Sequence, residues 1–317
     1  AIQYYVDKPL NICYPFIRKS VMHLAVYFRK GETDMKKIFS VLAAAAMILT
    51  ATACSSGGAS SGASVSSDDS SSADSSSAES AADDGTFKVD KLLVGSDIAY
   101  PPFEYYDTDG VTPIGVDVEL AYAIGEKLGC EVEMMNTAWD GIFAGLSKGD
   151  YDIVMSSVTI TPERLLDFDF SDPYIENYQS INVLADSGVK PASPAGLAGL
   201  KVGYQEDTTS DIYLTDYIEK NGTEVQTFEY ATVMNAWDDL AAGRLDAVIC
   251  DSTVATKYLA EGKYEQTWNQ QSEPDAVPEQ FAVCMPKGST ELQAAINKAL
   301  AEIKADGTLD KIFATYF

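Results

Sequence analysis

Histidine is almost missing from this 317-residue chain, and its single copy, His23, lies far upstream of the stretch with a folded domain's composition. Without a downstream histidine, Ser-His-Asp and Cys-His nucleophile systems, histidine zinc sites and histidine general bases are excluded there, while carboxylate chemistry is not. Cysteine is sparse as well. After Cys54 come Cys130, Cys250 and Cys284, an odd number without metal-like spacing. Buried thiols are the better reading, a single disulfide stays open, and no metal or cofactor is expected. Basic side chains are few. Lys and Arg number 22 against 48 Asp and Glu, a formal charge of −26. Such a balance opposes nucleic-acid binding, because a phosphate backbone needs a basic face to release its counterions. Long apolar runs are lacking too: Ile38 to Leu49 falls short of the about 20 residues that a membrane span needs.

That short run is informative in its own right. Met35-Lys36-Lys37 precedes it and Thr50-Ala51-Thr52-Ala53-Cys54 follows, so residues 35–53 read as a secretory signal peptide. Cys54 falls where a lipobox cysteine is diacylated after cleavage, although Ala51 stands where leucine is usual. Residues 1–34 carry no capping or periodic pattern; the expectation is that Met35 is the start and the preceding stretch an upstream artefact. From 54 to 86 the chain is mainly Ser, Ala, Asp and Gly, a composition too poor in apolar surface to fold. It is expected to be a flexible tether behind a lipid anchor, which places the protein outside the cytoplasm on the cell membrane.

Downstream, short β-branched runs alternate with amphipathic stretches, the pattern of an α/β fold. Leu92–Gly95 reads as a strand, Val116–Leu128 as a helix stopped by Gly129, and Trp139–Lys148 as a helix stopped by Gly149. Asp152–Ser156 is a further strand, and Thr161-Pro162-Glu163 a helix start. A second unit repeats the theme, with strands at 201–204, 225–228, 246–250 and 281–285. Helices are expected at 210–220, at 233–242 and behind Ser289. Two stretches echo each other: Trp139-Asp140 leads to Gly149 and then Ser157, and Trp237-Asp238 leads to Gly243 and then Asp251. Both echoes end a strand on a polar residue, and ligands of open α/β sheets bind outside strand carboxyl ends. Ser157 and Asp251 are therefore expected to face one cleft from two lobes.

Several motifs carry a family resemblance: Gly95 to Glu104 (GSDIAYPPFE), Gly115-Val116-Asp117, Ser156 to Arg164 (SSVTITPER), Phe170 to Tyr174 (FSDPY), Gly243 to Asp246 and Ala305 to Thr308. In order and spacing they resemble the type 3 solute-binding proteins, which include histidine-, glutamine- and lysine/arginine/ornithine-binding proteins. The resemblance implies a two-lobed periplasmic-binding-protein fold of type II, each lobe a sheet flanked by helices. Lobe 1 would take 87–184 plus 281–317, and lobe 2 185–280, with hinge strands Ile181–Ala185 and Phe281–Met285. It implies a monomer without enzymatic activity that captures a free amino acid by hinge closure for the permease subunits of an ABC importer. An enzyme of the prephenate or arogenate dehydratase type on the same fold is the alternative, and a sensor ectodomain acting through a separate partner is a third reading.

The same resemblance puts Arg164, Thr159 and Ser157 on the ligand carboxylate, with Ser156 nearby. A guanidinium suits that task because it offers two parallel hydrogen bonds, and the loop before a helix start is an anion seat. Asp251 falls at the ammonium-binding position, with helix capping as its other reading. Thr209 is expected to add a backbone donor, although Asp207 stands where the family has glycine. Tyr100 and Trp139 match positions that sandwich the ligand side chain, and Phe103 is balanced between pocket wall and core. Asp97 matches a contact to the distal end of polar side chains; together Asp97, Glu104 and the two aromatics lean toward a polar or cationic ligand.

Overall fold

A computed structural model describes residues 88–317. The expected upstream stretch, signal segment, Cys54 and tether lie outside the described residues. Among the described residues no helix is long and apolar enough to cross a membrane.

The first unit opens with β1 (Lys91–Ser96), a small hairpin of β2 (Tyr105–Tyr106) and β3 (Pro113–Ile114), and α1 (Val116–Leu128). Val116, Leu120, Ala121 and Ile124 recur at helical spacing and are buried on one side of α1. Gly129 then ends the helix in the left-handed region at φ 72°, where glycine carries no Cβ penalty. β4 (Glu131–Asn136), α2 (Trp139–Lys148), β5 (Ile153–Val154), the one-turn α3 (Arg164–Asp167) and β6 (Phe168–Phe170) follow. The chain then passes through β7 (Ile175–Asn177) into β8 (Gln179–Leu184), β9 (Lys201–Gln205), α4 (Thr209–Asn221), β10 (Gln226–Tyr230) and α5 (Val233–Ala241). It continues with β11 (Ala247–Asp251), α6 (Ser252–Leu259) and β12 (Tyr264–Asn269). β13 (Glu279–Phe281) and β14 (Cys284–Pro286) lead back to α7 (Thr290–Ala305) and α8 (Thr308–Tyr316).

Two five-stranded sheets result, ordered β4-β1-β5-β14-β6 and β10-β9-β11-β8-β12. Within the first, β1 runs parallel to β4 and β5, whereas β14 is antiparallel to its neighbours. Within the second, β9 runs parallel to β10 and β11, and β8 is antiparallel to β11 and β12. Each sheet is covered on both faces. Ile142 and Leu146 of α2 pack with Val154 and Phe170 on one side of the first sheet. Ile124 of α1, with Ile296 and Leu300 of α7, packs with Leu92, Val94 and Ile153 on the other. In the second sheet Leu214 of α4 packs with Ile181, Val202 and Ile249, and Trp237 and Leu240 of α5 with Val248.

The chain passes between the sheets through β7 and β13, which pair antiparallel with each other. The first crossing thus precedes the expected Ile181–Ala185, because Ile181 to Leu184 are committed to β8 by pairing with β11 and β12. The expected second crossing, Phe281–Met285, spans the end of β13 and the start of β14. Ser289 stands at the cap of α7 as expected, but its side chain makes no capping hydrogen bond.

Phe103 belongs to the core and not to a ligand site. It is fully buried, with edge-to-face contacts to Phe281 at 5.5 Å and Phe317 at 5.8 Å between centroids. Phe103→Ala is expected to lower the unfolding free energy by about 3–5 kcal/mol, the usual cost of an emptied aromatic core position. Urea denaturation checks this, and a loss well under about 1 kcal/mol would contradict the core assignment.

Candidate functional site

The loop after β5 builds the first wall. Ser157 is held at φ 51°, and Asp207 in the other lobe at φ 56°; among the described residues they alone are non-glycine residues in the left-handed region. Such conformations cost energy and persist where surrounding bonds impose them. For Ser157 that bond is visible: its N–H donates to Asp117 Oδ2 at 2.7 Å, and the Tyr174 hydroxyl donates to the same oxygen at 2.9 Å. The Ser157 amide is therefore consumed below the loop, while its hydroxyl is buried without a partner. Ser156 is used internally as well. Its Oγ accepts from the Asp97 N–H at 3.0 Å and donates to Glu104 Oε1 at 2.9 Å.

Arg164 opens the single turn of α3, where its N–H donates to Thr161 Oγ1 at 3.1 Å. With one turn instead of the expected helix, the anion seat rests on hydroxyls and the guanidinium, and a helix dipole adds little. The Arg164 Nη1 donates to the Thr159 carbonyl at 2.9 Å. Its guanidinium lies against Trp139 and Phe143, 5.3 and 5.0 Å from the ring centroids. It makes no ion pair among the described residues.

The second wall starts at the end of β11. Asp251 occupies the cap position of α6, yet its carboxylate makes no capping bond. It accepts from the Tyr100 hydroxyl at 2.5 Å, from Asn177 Nδ2 at 2.6 Å and from Gln179 Nε2 at 2.8 Å. Asp207 takes a left-handed turn, a conformation short polar side chains tolerate. Thr208 caps α4 by accepting from the Asp211 N–H, and Thr209 follows as the first helical residue. Its backbone N–H is thus among the helix-start donors that have no intrahelical partner.

Nine of the ten expected residues meet in one cleft: Asp97, Tyr100, Trp139, Ser156, Ser157, Thr159, Arg164, Thr209 and Asp251. Phe103 does not join them. Gln205 and Thr208 also line the cleft and were missed. Gln205 ends β9, so the rule that placed Ser157 and Asp251 at strand ends would have found it. Three hydrogen bonds close the cleft from opposite walls: Tyr100 to Asp251, Trp139 Nε1 to the Asp207 carbonyl at 3.2 Å, and Gln205 Nε2 to Asp97 Oδ2 at 2.9 Å.

The electrostatics are lopsided. Burial pushes the Asp97 carboxyl up to about 6, against the Gln205 hydrogen bond, and Asp117 up to about 7, against bonds from Ser157 and Tyr174. Glu104, beneath Ser156, is raised by burial and by the neighbouring Asp117 charge. Asp251 is raised by burial too, opposed by its hydrogen bonds and by Arg164. Glu279, behind Asp251, rises to about 7 through burial and the Asp251 charge. Burial lowers Arg164 from its ordinary value. Excess carboxylate around one guanidinium suits a ligand that brings its own positive charge.

Two α/β lobes, crossing strands and a polar cleft at strand ends define a periplasmic-binding-protein fold. Residues 92–317 match the family model for bacterial extracellular solute-binding proteins, family 3, and the chain belongs to that family. It is 33% identical to the L-cystine-binding protein TcyJ of Escherichia coli K12, over 74% of this chain and 87% of that one. It is 32% identical to the ABC transporter arginine-binding protein 1 of the same strain, over 74% and 93%. Among solved structures, an ancestral arginine-binding protein bound to arginine matches with a TM-score of 0.66 at 35% identity, over 73% of this chain and 100% of that one.

Carboxyls raised in the folded state bind protons that the unfolded chain has already released. Their contribution to stability is full below the ordinary carboxyl range and is lost as pH rises through about 6 to 7. The ligand-free protein is therefore expected to melt at a higher temperature at about pH 5.5 than at about pH 8. Calorimetric melting checks this, and the reverse order would contradict the burial of these groups.

Proposed function

We propose that the cleft captures one free amino acid with a cationic side chain and presents it, by closure about β7 and β13, to the permease subunits of an ABC importer. The observation that carries this reading is the opposition of Arg164 and Asp251 across one cleft with a carboxylate excess. Arg164, with the Ser157 and Thr159 hydroxyls, suits the ligand carboxylate by charge-assisted hydrogen bonds. Asp251 suits the ammonium. Tyr100 and Trp139 offer flat faces to the aliphatic stem, and Asp97 with Gln205 offers acceptors to a distal cation. Support for arginine as ligand comes from the arginine-binding relatives; the cystine-binding relative shows that family membership alone does not select one amino acid.

Cross-cleft bonds such as Tyr100 to Asp251 exist only when the lobes meet, so a ligand that adds contacts to both walls shifts the population toward the closed form. The protein acts as a monomer on the outer side of the membrane, held by a lipid on Cys54 and the tether that follows it. Its role is binding without chemistry. One observation favours a dehydratase of the prephenate or arogenate type: Asp97, in the cleft, titrates near 6 and could serve as a general acid. Prephenate turnover would establish that reading, and its absence alongside amino-acid binding favours capture.

Arg164→Ala is expected to weaken L-arginine binding by roughly 2–5 kcal/mol, the range for stranding one partner of a desolvated charge pair. Isothermal calorimetry reads this directly, and near-normal affinity in the variant would remove the carboxylate clamp. In a thermal-shift screen of the common amino acids, lysine or arginine should raise the melting temperature most, by mass action on the folded state.

A further inference from the structure

Glu279 does not line the cleft, yet the same two amides tie it to Asp251. Asn177 Nδ2 donates to Asp251 Oδ1 at 2.6 Å and to Glu279 Oε2 at 3.0 Å. Gln179 Nε2 lies 2.8 Å from Asp251 Oδ1 and 3.1 and 3.0 Å from the two Glu279 oxygens. Both amides are oriented by other donors. The Asn177 carbonyl oxygen accepts from the Thr253 N–H and hydroxyl, at 3.3 and 3.0 Å, and the Gln179 oxygen accepts from Ser210 Oγ at 2.7 Å. The Thr253 N–H can only donate, which turns the Asn177 NH₂ toward the carboxyls; the Gln179 NH₂ faces them as well, with its oxygen on the Ser210 hydroxyl. Gln179 Nε2 also lies 3.3 Å from Thr209 Oγ1, and the Thr209 hydroxyl donates to Glu279 Oε2 at 3.2 Å. The result is two carboxyls on shared neutral donors, with no lysine or arginine paired to either among the described residues.

Asp251 is buried and Glu279 half-buried, and two carboxylates so close in a poorly solvated site resist ionising together. We propose that Glu279 is a positioning residue that shares one proton with Asp251 in the empty cleft and surrenders it when an ammonium group docks against Asp251. This rests on the reading of the cleft as an amino-acid site. The balance is simple: the shared proton leaves for solvent, both carboxylates ionise, and the ammonium supplies the compensating charge. Affinity then falls as pH falls, because ligand and proton compete for the same pair.

Other groups facing the pair constrain the interpretation. Tyr100, from the loop after β1, donates to Asp251, and burial and Asp251 raise its pKa further from neutrality. Burial pushes the Cys250 thiol, next to Asp251, well above neutral pH. Arg164 acts on Asp251 through its field and stays charged. Glu104 feels Asp251 from below, and burial and the Asp117 charge raise its pKa. Asn177, Gln179, Thr209 and Thr253, from β7, β8, α4 and α6, do not titrate. Glu279 itself is moved up to about 7, where a shared proton is lost or kept within the physiological range. Burial moves Asp97, in the cleft, up to about 6, so it is the other group whose proton the experiment must separate from the pair's.

Calorimetry with L-arginine near neutral pH, in phosphate and in Tris, counts the protons released from the difference in apparent enthalpy. The native protein should release a measurable fraction of a proton, and its affinity should rise with pH by up to about tenfold per unit across the titration. Glu279→Gln keeps the hydrogen-bonding shape and should still bind L-arginine, with proton release reduced and a flatter pH profile. Equal enthalpies in the two buffers for the native protein would overturn the proposal without any variant. Equal proton release by native protein and Glu279→Gln would overturn it as well, by assigning the proton to Asp97 or another group. If none of the common amino acids binds at all, the reading of the cleft itself fails.

Discussion

Arg164 is held by a loop carbonyl and two aromatic faces, and no carboxylate among the described residues pairs with it. That is unusual company for a guanidinium so close to buried acids, because a nearby carboxylate would normally take both of its parallel donors. The acids in question sit elsewhere: Asp251 on the far wall, Glu104 and Asp117 beneath the near one, Asp97 at the side. They accept hydrogen bonds from hydroxyls, a backbone N–H and neutral amides. The cleft thus keeps Arg164 and the opposing Asp251 apart.

Holding them apart requires a stiff frame. Asp117 fixes the Ser157 turn from below, and Ser156 links the Asp97 backbone to Glu104. In the other lobe, Asp207 and the Thr208 cap shape the start of α4. The crossing strands β7 and β13 lie between the sheets, and their side chains Asn177 and Glu279 join the carboxyl network behind Asp251. Acid–amide contacts at the crossing strands connect the state of the cleft to the segment about which the lobes would move. The same network surrounds the cleft with acids whose pKa values burial raises, and so couples binding and closure to protonation.

Much of this was legible in the sequence. α1 and α2 carry clean helical periodicity with glycine stops, and both were bounded as observed. The Trp-Asp echo placed Ser157 and Asp251 at corresponding strand ends, and the cleft brings them together. Long-range pairing was hidden. The two-residue β5 and three-residue β7 and β13 exist only because neighbouring strands hold them, so no local pattern marks their limits. For that reason the first crossing was expected several residues too late. Phe103 lies within the same motif as Asp97 and Tyr100, yet the turn there sends its ring into the core against Phe281, and sequence spacing cannot show that direction. Gln205, Asn177, Gln179 and Glu279 are ordinary polar residues on strands. Asn177, Gln179 and Gln205 are buried and Glu279 half-buried only through contacts distant in sequence.

A crystal structure of the protein with L-arginine bound tests the central claim most directly. The account requires the ligand's carboxylate on the Arg164 guanidinium and its α-ammonium on the Asp251 carboxylate, with both lobes touching one molecule. A ligand seated in the reverse sense, or bound to one lobe with Arg164 and Asp251 both uncontacted, would contradict it.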